Sequence, residues 1–525
     1  MNDRDNHHID VLLVGYENQE NLGLRSITAY LLAQGFSAVL LPFSPDTNDS
    51  VLEAVRRLNP RLVGFSLIFQ YSLEDFGTLM SFLRANGVQS HFTAGGHFPS
   101  LRSQETLELI PELDTVVRFE GESTLVELLQ NLDKPEHWEQ IQGLAFRQNS
   151  QVFQTPPRPL INDLDTLPTV YRDQTRQAGN GVQMASMLAS RGCLFNCSFC
   201  SIRQFYGGAS GSLRRSRSPQ AVVDEMVTLF TQRNVRFFTF QDDDFAARTR
   251  TQLDWQQNFL QALGSSCLSG HIRWKVSCRV DDLTPETVES MQKHGLMAVY
   301  LGVESGNATG LSALNKHVSV EQNHAAIRLL KDRNTALAIG FMLFDPSSTM
   351  DTVRENISFL RTVGEDGYMP VNFCKMLPYS GTPIEEQLRS AGRLKGTLLY
   401  PDYDFLDPQL DWYAFLVQRI FTRRNFSPDG LLTRLQQADF DYRLADSFGS
   451  GGYDDLYGTR LRMLISRSNT LAVETLEILL SEVFSRGAEA LVEEQKTLLD
   501  IADHVWRSEA LLEAELESMS QYKSQ

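Results

Sequence analysis

The chain alternates short apolar runs with stretches of helical periodicity, and it does so in two series. The first opens with "IDVLLVGY" (9–16), a run rich in β-branched residues that predicts a buried strand. "LRSITAYLLAQG" (24–35) follows, with Leu24, Ile27, Leu31 and Leu32 on one helical face and Gly35 as the stop. Strand "SAVLLPF", helix "VLEAVRRL", strand "RLVGFSLIF", helix "LEDFGTLMSFLRANG", strand "SHFTAGG" and, after "TVVRFEGEST", helix "LVELLQNL" complete the series. This alternation implies a doubly wound α/β sheet, which takes ligands past the carboxyl ends of its strands. The loops expected there (16–25, 66–71, 95–97 and 120–122) combine small and polar residues. No G-x-G-x-x-G follows the first strand, so a dinucleotide fingerprint is absent.

A Pro- and Asp-rich stretch, "TPPRPLINDLDTLPTVYRDQ" (155–174), lacks periodicity and predicts a linker. The second series starts at "VQMASMLASRG". It runs through helix "SPQAVVDEMVTLFTQRN", with Ser218 as N-cap and Pro219 at the first position, and strands within "VRFFTFQDDDF", "IRWKVSCRVDDL", "MAVYLGVESGN", "TALAIGFMLFDPSST" and "PVNFCKMLPYSGTP". Repeated strand–helix units imply a partial β/α barrel with its chemistry at the strand carboxyl ends. From about 387 the pattern becomes helical and acidic. The predicted organisation is an α/β domain over 1–150, a linker over 151–184, a barrel over 185–386 and a helical domain over 387–525, with "SFGSGGYDDLYG" (447–458) as a lid-like loop.

Three of the six cysteines, Cys193, Cys197 and Cys200, stand at the head of the barrel in C-x3-C-x2-C spacing. Structural zinc takes four ligands, commonly as two C-x2-C pairs, and Cys267, Cys278 and Cys374 form no second pair. A thioredoxin-like motif would give Cys193 no role. Three thiolates suit an iron–sulfur cubane with one iron left open to a small chelating molecule. The other cysteines read as small core residues, with Cys374, at a strand end, also a candidate to touch substrate.

The net charge of −17, from 48 basic and 65 acidic side chains, argues against a surface that coats nucleic acid. "RRSR" (214–217) reads either as a local basic patch or as a solvated turn before a helix. The amino-terminal residues show no basic–apolar leader, and no apolar run of about 18 residues suggests a membrane span. A cytoplasmic location is expected, where thiols stay reduced and clustered cysteines favour metal or catalysis.

The motif "CLFNCSFC", with Phe199 before its last cysteine, resembles the signature of radical S-adenosylmethionine (SAM) enzymes. "NLGLRSITAYLLAQGFSAVLL", "PRLVGFS", "TAGGHFPS" and "VVRFEGESTLVELL" resemble, in order and spacing, the Rossmann-like cobalamin-binding domain that precedes many of them. The combination resembles cobalamin-dependent radical SAM methyltransferases of class B. It implies a [4Fe–4S] cluster on Cys193, Cys197 and Cys200, and SAM contacts from Phe199, Asp243, Asp244, Ser277, Arg279, Glu304, Lys316, Gly340 and Phe341. Lys316 also reads as a surface residue. Cobalamin contacts are expected from Glu20, Leu22, Gly23, Arg25, Ser66, Gly95, Gly96, His97, Glu120, Gly121 and Glu122. The family's D-x-H-x-x-G is replaced here by "NQENLG", which puts Glu20 at the position of the cobalt-binding histidine. The resemblance therefore implies cobalamin without a histidine lower ligand.

The implied architecture is that domain, a partial (β/α)6 TIM-type barrel and a mostly α-helical carboxyl-terminal domain. The implied reaction is C-methylation. A 5′-deoxyadenosyl radical takes hydrogen from an unactivated carbon of a small molecule or natural-product intermediate, which then takes methyl from methylcobalamin. Ring closure, ring contraction or oxidative rearrangement without methylation is the alternative, and a non-catalytic cobalamin sensor is the alternative outside enzymes. A tRNA methylthiotransferase would need a second cysteine triad and a basic tail, and the first 192 residues hold no cysteine. Partners expected are a small-molecule substrate and an electron donor such as flavodoxin or ferredoxin, with neither nucleic acid nor membrane, and a monomer. Substrate candidates are Cys374, Tyr379, Tyr403 and Trp412; for the last two, packing within the aromatic segment 400–416 is the competing reading.

Overall fold

The computed structural model describes residues 8–17, 20–246, 248–449, 452–454, 456–486 and 495–519. The amino-terminal domain contains β1 (Val11–Gly15), α1 (Leu22–Ala33), β2 (Ala38–Pro42), α2 (Asn48–Leu58), β3 (Leu62–Ser66), α3 (Ser72–Ala85) and β4 (His91–Gly95). The short helices α4 (His97–Leu101) and α5 (Ser103–Leu109), then β5 (Thr115–Val117) and α6 (Glu122–Gln130), follow. The strands lie in the order β2-β1-β3-β4-β5 and run parallel. Side chains alternate between the faces. Leu12, Val14, Val63, Phe65 and Phe92 share a core with α2 and α3, while Val11, Leu13 and Val117 share one with α1 and α6. The winding reverses between β1 and β3, which opens a crevice past the strand ends. β6 (Leu144–Gln148) and β7 (Gln151–Gln154) add an antiparallel hairpin, so the sheet continues to Gln154 instead of stopping at 150. Its turn places Asn149 and Ser150 at φ of 52° and 65°, the left-handed pair that a two-residue hairpin requires.

The barrel begins with β8 (Arg176–Gln177), inside the stretch expected to be linker, and β9 (Gln183–Met187), which starts at its last two residues. The motif region holds β10 (Ser190–Arg191), α7 (Ile202–Gly207) and β11 (Arg215–Ser216). Then come α8 (Pro219–Arg233), β12 (Val235–Phe240), α9 (Arg250–Gly264), β13 (Arg273–Arg279), α10 (Pro285–Lys293) and β14 (Leu296–Glu304). α11 (Ala308–Ala313), α12 (Val320–Asp332), β15 (Ala336–Phe344), α13 (Met350–Gly364) and β16 (Cys374–Lys375) close the series. The sheet order is β8-β9-β12-β13-β14-β15-β16. The edge strand β8 is antiparallel, leaving six parallel strands of the seven that curl as a half-barrel. Ser218 caps α8 by accepting the Ala221 amide at 3.2 Å. Trp274, Val276 and Cys278 of β13 are buried against the helices, so Lys275, Ser277 and Arg279 face the interior.

α14 (Pro383–Ser390), the hairpin β17 (Leu394–Gly396) and β18 (Pro401–Tyr403), α15 (Pro408–Phe426), α16 (Leu431–Phe448), α17 (Tyr457–Arg486) and the helix Gln495–Met519 complete the chain. α15 turns Leu410, Tyr413, Val417, Ile420 and Phe421 to the core. α16 plugs the barrel floor, where Phe440, Leu444 and Phe448 pack with Met184, Phe237, Ala298 and Ala336. Of the expected lid-like loop, residues 450, 451 and 455 lie outside the described residues; α16 ends before it at Gly449, whose φ is 58°. Among the described residues no helix is long and apolar enough to cross a membrane.

Candidate active site

A cavity of about 880 Å³ lies between the first domain and the barrel mouth. Its walls include Glu20, Leu22, Gly23, Ser66, Gly95, Gly96, His97, Glu120, Gly121 and Glu122 from the first domain, and Leu188, Ser190, Arg191, Phe205, Tyr206, Gln241 and Asp243 from the barrel. It also reaches down the sheet to Leu13, Gly64, Thr93 and Val117, which makes it a deep slot. Two features keep it open. Gly96 sits at φ 109°, and a β-carbon there would strike the Leu67 carbonyl. Asn21 caps α1 by accepting the Leu24 amide at 3.1 Å and donates to Ser66 Oγ at 3.2 Å, fixing the β1 loop against the β3 loop. His97, the histidine in the lining, stacks on Phe205 with ring centroids 4.4 Å apart; burial lowers its pKa to about 4, so it is neutral.

Glu20 borders this cavity, but its carboxylate is committed elsewhere. Oε1 accepts Arg172 Nη1 at 3.0 Å and Oε2 accepts the Ser186 amide at 2.6 Å, with φ at 58°. Arg172 also contacts Glu225, which Arg217 Nη1 reaches at 2.6 Å. Arg191 donates to Glu120 at 2.9 Å and to Glu122 at 2.7 Å, and Arg215 donates to Glu120 at 2.8 Å. Burial alone would raise the pKa of Glu122; the charge of Arg191 outweighs it and holds the pKa below the ordinary value. Arg215 and Arg217 of "RRSR" are therefore ion-pair partners at and near the domain junction, neither a nucleic-acid patch nor a solvated turn. Arg25, expected at the cobalamin site, does not line the cavity. It is buried between Glu17 and Asp173, each at 2.8 Å, because α1 turns that position toward the linker.

The three cysteines of the motif stand at the barrel mouth, and burial raises the pKa values of all three, Cys193 to about 11 and Cys200 to about 12. Arg279 Nη1 donates to Cys197 Sγ at 3.6 Å, its guanidinium carbon lies 3.7 Å from the Phe195 ring centroid, and its Nε donates to Asp281 at 3.0 Å. Lys316 Nζ donates to Glu304 Oε1 at 3.0 Å, both at the inner end of the sheet; Lys316 is buried, not a surface residue. Glu304 adopts φ 68°, beside a register shift between β14 and β15, and a left-handed non-glycine residue at a strand end marks stored strain. Ser277 lies one inward position before Arg279 on β13. Gly340 leaves room for the Tyr300 hydroxyl. Phe341 turns its ring outward, stacked on Phe359 at 5.6 Å, so only its backbone faces inward. Phe199 packs against the barrel core. Asp243 accepts the Gly192 amide at 2.8 Å, and burial raises its pKa to about 6. Asp244 is buried beside Asp282, and desolvation raises both carboxyls.

Of the substrate candidates, Cys374 Sγ donates to the Phe341 carbonyl at 3.6 Å and Tyr379 packs on Phe69, a cavity residue, at 5.5 Å. Tyr403 and Trp412 are placed elsewhere. Tyr403 is buried against Phe405, and Trp412 lies on the outer face of α15, edge-on to Phe415, because helical periodicity turns it away from the core. The junction arginines Arg172 and Arg191 are not marked by the sequence, and Arg215 only as part of "RRSR" and not as a partner of Glu120; their pairing depends on contacts between distant segments.

Two family profiles match the chain: "B12 binding domain" over residues 10–129 and "Radical SAM superfamily" over residues 187–360. This chain is a radical SAM enzyme with a B12-binding domain. An uncharacterized methyltransferase of Pyrococcus horikoshii is 26% identical to the enzyme over 71% of this chain and 79% of that protein. The anaerobic magnesium-protoporphyrin IX monomethyl ester cyclase of Cereibacter sphaeroides is 26% identical over 69% of this chain and 58% of its own length, so the enzyme spans little more than half of that relative. Among solved structures, the cobalamin-dependent SAM radical enzyme OxsB with aqua-cobalamin and SAM bound superposes with a TM-score of 0.68 at 17% identity, over 97% of this chain and 80% of that one. The radical SAM methyltransferase TsrM from Kitasatospora setae, with cobalamin and a [4Fe–4S] cluster bound, gives 0.60 at 17%, over 73% and 75%.

The cofactors of the enzyme are cobalamin, SAM and a [4Fe–4S] cluster. The residues fit them. Cys193, Cys197 and Cys200 stand close enough that the charge of one thiolate raises the pKa of its neighbours, a grouping of thiols that suits a cluster held by cysteines. The slot between the domains, kept open by glycines and bordered by the barrel mouth, suits a large cofactor facing SAM.

Proposed function

We propose that the enzyme is a C-methyltransferase acting on an unactivated carbon of a small molecule. When bound, the cluster and SAM supply a 5′-deoxyadenosyl radical and the cobalamin supplies a methyl group. The observation that carries the reading is the shared wall: Ser190 and Arg191, which lead into the cysteine motif, and Gln241 and Asp243, which follow β12, all border the slot, and Asp243 accepts the amide of Gly192 next to Cys193, so the two cofactors would face one space. Arg172 and the Ser186 amide hold the Glu20 carboxylate, which supports a cobalamin that would take no ligand from this position. Lys316 and Arg279 offer cations to the SAM carboxylate, and Glu304 an acceptor to its amine or ribose. Phe69, Tyr71, Phe205 and Tyr206 exclude water around the reacting carbon.

The relatives divide between names of methyl transfer, including the hopanoid C-3 methylase of Methylococcus capsulatus, and names of cyclisation. The deciding experiment is anaerobic turnover of the loaded enzyme with S-trideuteromethyl SAM and candidate substrates. Methylation predicts S-adenosylhomocysteine alongside 5′-deoxyadenosine and a product carrying the labelled methyl. 5′-Deoxyadenosine without S-adenosylhomocysteine, and a product that gains no methyl, would sink it in favour of ring closure or rearrangement.

A further inference from the structure

The interior of the half-barrel below the mouth contains a cation that pairs with no described residue. Lys275 points inward from the middle of β13, where its neighbours across the sheet are Thr239 of β12 and Ala298 of β14. It makes no hydrogen bond and no ion pair with any described residue, and no carboxylate influences it; burial alone lowers its pKa. The other inward cations of β13 and the mouth are satisfied. Arg279 holds Asp281, Lys316 holds Glu304, and Arg273 donates to the carbonyls of Ile272 and Ser447. An ammonium held away from water without a counter-ion is costly, so an anion bound beside it would be favoured.

The space around Lys275 is shaped to admit one. Ala338 carries little side chain on the facing strand β15. Tyr300, in the centre of the sheet, is 39% exposed, which only a hollow interior allows. Gln241 dips inward to donate to Ser186 Oγ at 2.9 Å, adding polar groups on the β9 side. Below, the apolar plug of α16 seals the floor. The hollow therefore has an apolar base, a polar band with one free cation, and an opening among Glu304, Arg279 and the cysteines.

We propose that Lys275 receives an oxyanion, a carboxylate or phosphate, carried by the small-molecule substrate, which enters the barrel anion first and leaves its reacting carbon at the mouth. The four steps of strand from Lys275 to Arg279 span about 13 Å, the depth over which the substrate is held. Lys275 is thus a binding and positioning residue, and the proposal rests on the mouth being the reaction site.

The test uses the holoenzyme loaded with cluster, cobalamin and SAM. Equilibrium dialysis with inorganic phosphate, and competition by acetate, reads the site without turnover. We expect one phosphate per chain, at least tenfold weaker binding in Lys275→Met and retention within a few-fold in Lys275→Arg. The more effective competitor identifies which oxyanion the site is built for. SAM affinity should be unchanged in both variants, and Lys275→Met should fold at least as stably as the parent because it removes a desolvated charge. Equal phosphate binding by parent and Lys275→Met, or no binding of either anion by the parent, overturns the proposal. So does a loss of SAM affinity in Lys275→Met, which would assign the lysine to the SAM carboxylate. Failure of the mouth reading shows separately, as absence of 5′-deoxyadenosine from the loaded parent enzyme.

Discussion

Glu20 Oε2 accepts the backbone amide of Ser186 at 2.6 Å, joining the first loop of the B12-binding domain to the first inner strand of the barrel. Replacement by alanine removes that acceptor and leaves Arg172 buried with only Glu225 as a carboxylate partner. Breaking one partner of a buried pair costs about 3–5 kcal/mol. Glu20→Ala should lower the denaturation midpoint accordingly and weaken cobalamin retention on a desalting column. A stability unchanged within error would show that the contact contributes nothing to the junction.

Gly96→Ala must place a β-carbon against the Leu67 carbonyl at a φ of 109°. Strain of this kind costs about 1–3 kcal/mol, and relief by backbone movement narrows the slot. The cobalamin content after reconstitution, read from the visible spectrum, should fall while the iron content holds.

Each of Cys193→Ala, Cys197→Ala and Cys200→Ala should abolish the iron–sulfur absorbance and SAM cleavage, as the reading of these thiols as the cluster's protein ligands requires. Their pKa values, raised by burial, mean that cluster assembly releases protons. Reconstitution should therefore be slower at lower pH, measured by the growth of the charge-transfer band.

Glu304→Gln should weaken SAM binding by about 10- to 100-fold, the loss expected when a charged hydrogen-bond partner becomes neutral. Isothermal titration of SAM into the cluster-loaded enzyme measures it. Glu304→Gly would relieve the left-handed backbone while still losing affinity, which separates strain from contact.

Glu509 lies buried 3.9 Å from Arg424, and desolvation raises its pKa to about 7. A folded pKa above the unfolded value means the native state holds the extra proton. That stability is full below about pH 4.5 and is lost as pH rises through 7, by up to about 3 kcal/mol. Denaturation across this window should show the decline, and Glu509→Gln should flatten it.

The strand–helix alternation was legible because buried parallel strands are written as apolar runs, as in "VLLVG" and "ALAIGFMLF". The cysteine spacing was legible because its chemistry is local. The β6–β7 hairpin was not, since β7 is mostly solvent-facing and carries no apolar period. Arg215 and Glu120 lie far apart in the chain, and nothing local marks them as partners. Arg25 misled for a related reason: helical periodicity gives the face of α1, but not which neighbouring segment that face meets. Lys275 was accessible in principle, as the polar member of an alternating strand, yet an unpaired charge is visible only once every possible counter-ion has a position.

The plug made by Phe440, Leu444 and Phe448 turns the barrel into a cul-de-sac. Whatever enters leaves by the doorway it used, and the B12-binding domain forms its lintel. An incoming substrate cannot push a product out from behind. The residues that fasten the lintel, far from any reacting carbon, hold the frame of that doorway.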